Sequence, residues 1–254
     1  MKKTMQIIDG NNWFRRKAET SIKGNPLRQC YNEIQNSPYD VVLLVWDGYF
    51  SLKARRAIYP EYKAKRAFAG ESIYEYQKVF KQVAQHSRAI IFEVEGYEGD
   101  DVVAKLAQMY RKEYDIKIES NDADFAQLGL PMARDTFKIE PKWVTLYKTL
   151  VGDSSDNIKG IPGFGQSAWD KLDDKARLKL VEFCKGGELD IGLQGYFSKG
   201  AWLFLITVPN QIMIRNYWKI VNFLPIDDTL LFKSMRHGNY NQQEAEKIFK
   251  EYMA

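Results

Sequence analysis

Val41-Val-Leu-Leu-Val-Trp-Asp47 is an unbroken apolar run that closes on an acid. A strand with one wet face alternates apolar and polar residues, so a run without a polar position belongs to a strand buried on both faces, inside a parallel sheet covered by helices. Three further strand candidates on either side also lead to acids. Met5 to Ile8 delivers Asp9, followed by Gly10, Asn11 and Asn12. Ala89 to Val94 leads to Glu98-Gly-Asp-Asp101, and Asp115 to Glu119 leads to Ser120-Asn-Asp-Ala-Asp124. Parallel strands joined by crossover helices place all their carboxyl ends on one edge, so the four runs predict an α/β fold whose acids converge there.

Acids gathered in this way repel one another. Two carboxylates about 5 Å apart cost on the order of 3 kcal/mol at an effective dielectric of about 20, and a bound cation removes that cost. For Glu98, Asp100 and Asp101 alone, another reading serves equally well. Val102, Val103, Leu106, Met109 and Tyr110 follow at helical spacing, so the acids could simply cap that helix and complement its dipole. The recurrence of acids at four successive strand ends favours a metal site.

Composition limits the classes open to the chain. Its 254 residues, 45% hydrophobic, suffice for one large domain or two small lobes. The sequence contains no apolar run of about 18 residues, and Met-Lys-Lys-Thr-Met runs directly into the first strand, so a cytoplasmic protein without membrane association is expected. Cys30 and Cys184 have no Cys-x-x-Cys companion and read as buried thiols, and His86 and His237 are isolated. The net charge of +4 conceals a segregation. With nine acids set aside (Asp9, Asp47, Glu98, Asp100, Asp101, Asp122, Asp124, Asp153 and Asp156), the other 24 face 37 basic residues, a formal +13. A cationic surface around an anionic hole suits a polyanion held at its centre by metal.

Two segments carry further chemistry. Between Asp47 and the third run lie Lys53, Arg55, Arg56, Lys63, Lys65 and Arg66, with Tyr59 and Tyr62 interleaved and Pro60 breaking any continuous helix. Such a run is either a solvated face or a surface for stacked bases and clamped phosphates. Lys63 and Arg66, three apart, would share a face if the segment were helical. Ser72 is placed to cap a helix reaching about Gln85. Farther on, Gly152-Asp-Ser-Ser-Asp-Asn-Ile-Lys-Gly-Ile-Pro-Gly-Phe-Gly165 contains Asp153 and Asp156 and ends in a Gly-rich turn before a short helix near Ser167 to Leu172. Exposed amides at Gly163 and Gly165 would cradle a phosphate. Pro141 opens a helix to about Leu150, Met132 to Ile139 reads as a pairing with a sheet edge, and packing helices are expected at 175–185, 211–223 and 242–252.

In combination, Ile8-Asp9-Gly10-Asn11, Trp46-Asp47-Gly48, Tyr62-Lys63-Ala64-Lys65-Arg66, Glu98-Gly99-Asp100-Asp101, Ser120-Asn121-Asp122-Ala123-Asp124 and the Gly152–Gly165 segment resemble the 5′-nuclease superfamily of flap endonucleases and 5′–3′ exonucleases, over roughly Ile7 to Trp169. The resemblance implies a PIN-like, mostly parallel sheet with flanking helices in 1–140, carrying a basic arch over about 49–88. It also implies a helical lobe in 141–254 with a helix-three-turn-helix at about 142–185 that grips duplex DNA and holds a potassium ion. A first metal is implied at Asp9, Asp47, Glu98 and Asp100, and a second at Asp122, Asp124, Asp153 and Asp156, with Asp101 behind them. The metals would be two magnesium ions, replaceable by manganese, about 4 Å apart. Lys63 and Arg66 are the implied catalytic cations. Tyr62, Lys65, Arg55, Arg56, Gly163, Gly165 and Ser167 are the implied DNA contacts. The expected activity is hydrolysis of phosphodiester bonds near 5′ ends, nicks or 5′ flaps of DNA, or of RNA in an RNA–DNA hybrid, during replication or repair, by a monomer in the cytoplasm or, for a phage-encoded chain, the host cytoplasm. Gly99, Ala123 and Ser167 depart from the Ala, Lys and Lys that the family commonly carries there.

Other classes meet specific obstacles. A haloacid-dehalogenase-type phosphatase expects Asp-x-Asp where this chain has Asp9-Gly-Asn11. A PIN-type ribonuclease does not require the Gly163-x-Gly165 grip. A catalytically weak branched-DNA binding module need not retain all nine acids.

Overall fold

The computed structural model describes residues 2–20, 26–65, 71–134 and 138–253. The chain forms two compact units. The first combines Met1–Ser51, Phe68–Thr136 and Pro225–Ala254, and the second combines Leu52–Ala67 with Phe137–Leu224.

Strand β1 (Lys3–Asp9), helices α1 (Gly10–Thr20) and α2 (Pro26–Gln35) and strand β2 (Val41–Asp47) open the first unit. After α3 (Lys53–Ile58), which belongs to the second unit, come α4 (Glu71–Ala84), β3 (Ile90–Val94), α5 (Gly99–Tyr110) and β4 (Tyr114–Glu119). The strands order as β4-β1-β2-β3 and all run parallel. β2, the run that predicted a doubly covered strand, lies between β1 and β3, and Val42 through Trp46 are all buried. On one face Ile8, Val42, Leu44 and Trp46 pack with Trp13 and Phe14 of α1, Leu27 and Ile34 of α2, and Phe80 and Val83 of α4. α5 packs against all four parallel strands, and its buried Val102, Val103 and Leu106 lie outside that cluster, so it covers the other face. Gly48 is required where β2 meets β3, because a Cβ there would fall 1.9 Å from the Val94 carbonyl oxygen. Of the pairing expected over Met132 to Ile139, a single bridge from Met132 to Ile118 at the β4 edge is present among the described residues, and 135–137 lie outside them.

The second unit is helical: α6 (Val144–Val151), α7 (Gln166–Trp169), α8 (Asp174–Cys184), α9 (Lys199–Leu205) and α10 (Val208–Val221). α10 packs against α3, α6, α8 and α9 around Leu146, Leu180, Phe183, Leu205 and Tyr217. Gly160, at φ +65°, turns the loop after α6 back onto it, and a Cβ there would sit 2.5 Å from the Leu150 carbonyl oxygen.

The chain is not divided into 1–140 and 141–254. Helix α11 (Asp228–Ser234), strand β5 (Arg236–His237) and helix α12 (Gln242–Met253) return to the first unit. β5 pairs antiparallel with β3, Ala245 and Phe249 of α12 are buried in the α1–α2–α4 cluster, and Glu246 pairs with Arg28. The expected arch over 49–88 is likewise split, its α3 portion in the second unit and α4 in the first. α4 starts at Glu71 and ends at Ala84. Among the described residues no helix is long and apolar enough to cross a membrane.

Candidate metal centre

Asp9 ends β1 and is 5% exposed. Its carboxylate accepts hydrogen bonds from the Ser120 hydroxyl (2.8 Å) and the Asn12 amide (3.2 Å). Burial pushes its pKa up to about 7, assisted by the charges of Asp47 and Asp122 and opposed by those two hydrogen bonds. Asp47 ends β2 and accepts from the Gly99 amide at 2.7 Å. A Cβ at residue 99 would lie 3.2 Å from that same Asp47 oxygen, so the glycine leaves this contact uncrowded.

The two readings of Glu98–Asp101 divide the segment between them. Glu98 caps α5 and forms a capping box with Asp101, whose carboxylate accepts from the Glu98 amide at 3.3 Å; both side chains are buried. Asp100 does something else. One of its carboxylate oxygens lies within 4.8 Å of oxygens from Asp122 and Asp124, and all three residues are half-buried. Asp122 caps the 3₁₀ turn Ala123–Leu128 by accepting from the Asp124 amide at 2.9 Å, which sets both acids on one short loop after β4. Ser120 ties this loop to Asp9, since its hydroxyl donates to Asp9 while its oxygen accepts from the Asp122 amide at 3.1 Å. Three carboxylates within one ion's reach, beside a buried fourth whose proton affinity is raised by burial and by the charges of Asp47 and Asp122, form a donor set that fits a hard divalent cation.

Asp9 gives a prediction whose sign is fixed. A carboxyl with its pKa raised in the folded state costs stability as pH rises from its ordinary value near 4 toward about 7, because the folded chain must give up a proton that it binds more tightly. In EDTA, Asp9→Asn is expected to melt higher than wild type at pH 8, the gap closing near pH 4. A variant that melts below wild type at pH 8 in scanning calorimetry would contradict this.

The other expected site residues fall in the second unit. Asp153 pairs with Lys148 at 2.8 Å; burial works to raise its carboxyl, but the Lys148 ammonium and the Ser155 hydrogen bonds hold it below the usual range. Asp156 pairs with Lys63 at 3.7 Å, with both side chains buried. Lys148 is a site residue that no sequence motif marks. Its signal was a lysine four residues after Val144 on the apolar stripe of α6, where a cation needs a partner.

Three expectations in the basic segment need correction. Tyr62 is 3% exposed, part of the second unit's core, with Arg55 and Lys63 over its ring at 5.7 and 5.0 Å, so it offers no face to a base. Arg55 is also 3% exposed and donates to the carbonyls of Ile220 and Asn222 at the C-terminus of α10, where a cation satisfies orphan carbonyls and complements the dipole. It is a structural residue, not a DNA contact. Lys63 lies in a turn at φ +52° and not in a helix, and Arg66 lies outside the described residues. Arg56 and Lys65 are exposed, as are Gly163, Gly165 and Ser167 around the start of α7.

A family model described as the 5′-3′ exonuclease N-terminal resolvase-like domain matches residues 5–137. A 5′-3′ exonuclease of Aquifex aeolicus is 30% identical over 192 residues, covering 64% of this chain and 66% of the relative. A thermostable DNA polymerase I of Thermus thermophilus is 28% identical over 65% of this chain and 23% of its own length. The chain thus spans less than two thirds of these relatives. Among solved structures, the phage T5 D15 protein co-crystallised with metal ions superposes with a TM-score of 0.65 at 18% identity, covering 97% of this chain and 99% of that one, a likeness of fold.

Proposed function

The chain belongs to the family of the 5′-3′ exonuclease N-terminal resolvase-like domain, and from that premise we propose that it is a metal-dependent 5′ nuclease that hydrolyses phosphodiester bonds near 5′ ends or 5′ flaps of DNA. The observation that carries this reading is the meeting of Asp100, Asp122 and Asp124 at the carboxyl edge of the sheet beside buried Asp9. Asp9, Asp47, Glu98, Asp100, Asp101, Asp122 and Asp124 are the residues of the first unit that hold or support the ions. Asp153 and Asp156 are assigned to the second ion by resemblance. When bound, two magnesium ions supply activation of water and stabilisation of the leaving 3′-oxygen.

The protein's own groups do the rest. Glu98 and Asp101 fix the first turn of α5, which sets Asp100 toward Asp122 and Asp124. Ser120 and Asn12 orient Asp9. Lys63 meets the charge of the scissile phosphate. Arg56 and Lys65, together with Gly163, Gly165 and Ser167, bind the DNA backbone, with a potassium ion in the helix-three-turn-helix loop. RNA–DNA hybrid is a further substrate, the active form is a monomer, and its place is the cytoplasm.

The testing experiment compares end-labelled blunt, nicked, 5′-flap and RNA–DNA hybrid duplexes with magnesium. Cleavage is expected to release 5′-phosphorylated fragments, to stop in EDTA, and to follow binding that weakens steeply between about 50 and 200 mM salt as phosphate counterions are retained. Full activity in excess EDTA, or binding indifferent to salt, would refute the proposal.

A further inference from the structure

Lys63 is the buried cation in the turn between α3 and the segment outside the described residues, and its backbone sits at φ +52°. A left-handed conformation is unfavourable for a non-glycine residue and persists only where its surroundings enforce it. Arg56 Nε donates to the Tyr62 carbonyl at 3.2 Å and the turn closes on its own amides, and the remaining contacts come from the loop after α6. The Lys63 amide donates to the Asp156 carbonyl at 3.2 Å. Two residues before Lys63, the Glu61 carbonyl accepts from the Asn157 side-chain amide at 2.9 Å. Asn157 is 8% exposed and is itself left-handed at φ +61°, a conformation asparagine tolerates better than most residues. Its carbonyl in turn accepts from the Tyr59 hydroxyl at 3.1 Å.

Asn157 is therefore stitched to the Lys63 turn on both sides, by its side chain to Glu61 and by its backbone to Tyr59. Its neighbour Asp156 receives both the Lys63 amide and the Lys63 ammonium. From this geometry we propose that Asn157 is the positioning residue for Lys63, holding the turn so that the ammonium keeps one place during the reaction. The inference rests on the assignment of Lys63 to the scissile phosphate. Without the Asn157 amide, the Glu61 carbonyl keeps only the turn's own Ala64 amide at 3.0 Å, the side-chain tie to the loop after α6 is lost, and the turn relaxes toward negative φ, carrying Nζ with it.

Asn157→Gly tests this, because glycine accepts the left-handed backbone and removes only the side chain. Single-turnover cleavage of a 5′-flap duplex with magnesium at saturating enzyme is expected to fall about 10- to 100-fold, the scale of a misplaced catalytic group, while affinity stays within about twofold. Lys63→Ala with Asn157→Gly is expected to be no slower than Lys63→Ala alone, since the positioned group is already gone. A merely structural role would lower the melting temperature and affinity together and multiply the two rate losses; that result overturns the proposal. So does an Asn157→Gly rate within twofold of wild type where Lys63→Ala is slow, which leaves the Lys63 assignment standing. A normal rate for Lys63→Ala overturns both. If Asn157→Gly shows no cooperative unfolding, Tyr59→Phe removes the other stitch. It is then expected to lower the rate about three- to tenfold with the same non-additivity, and an additive or absent effect overturns the proposal.

Discussion

Asp122→Asn and Asp124→Asn are each expected to abolish cleavage while leaving DNA binding unchanged or tighter. Asparagine keeps the shape of the residue and one side-chain oxygen, so the Asp122 cap on the Asp124 amide survives and the loop stays folded. The lost charge matters more. Asp100, Asp122 and Asp124 sit within reach of one ion, and removing one of three charges weakens a hard cation's site directly. The same change removes a negative charge from a surface that meets phosphates, so affinity for DNA should not fall. Cleavage and binding measured on one preparation, with a melting curve for each variant, check this. Unchanged cleavage in both variants would refute the assignment of these acids.

Lys63→Ala is expected to slow the single-turnover step by about 30- to 1000-fold, roughly 2–4 kcal/mol of barrier, the scale of removing one preorganised charge donor. The structure explains why binding should change less. Lys63 is buried, paired with Asp156 and lying over the Tyr62 ring, so it is not part of the solvated cationic surface that captures DNA. Lys65, two residues on and exposed, is the contrast: Lys65→Ala is expected to weaken binding and its salt dependence while sparing the rate. A Lys63→Ala rate within threefold of wild type at saturating enzyme would end the catalytic assignment.

The parallel sheet and its acidic edge were legible because both follow from local pattern. An apolar run such as Val41–Trp46 has few other places to go, and each parallel strand must end on the same side. The ambiguity at Glu98–Asp101 was real, and the side chains resolved it by dividing the roles: capping for Glu98 and Asp101, clustering for Asp100. The return of α11, β5 and α12 to the first unit was not legible. β5 is only two residues long and carries no periodicity, and the tie rests on long-range burial of Phe249 and Ala245. In the basic segment, composition reported charge but not burial. Arg55 and Tyr62 look like nucleic-acid contacts in the sequence, yet one closes a helix end and the other fills a core. Lys148 and Asn157 carry no sequence signature for a related reason: each acts through specific partners, which only the folded chain supplies.

The central claim is that the carboxylates at the sheet edge hold divalent metal. Titration of manganese into the DNA-free protein, followed by loss of the free-ion signal in electron paramagnetic resonance, tests it most directly. Wild type is expected to bind manganese and to release it to magnesium, with binding sharply weakened in Asp122→Asn and in Asp124→Asn. Equal manganese binding by wild type and both variants would contradict the account.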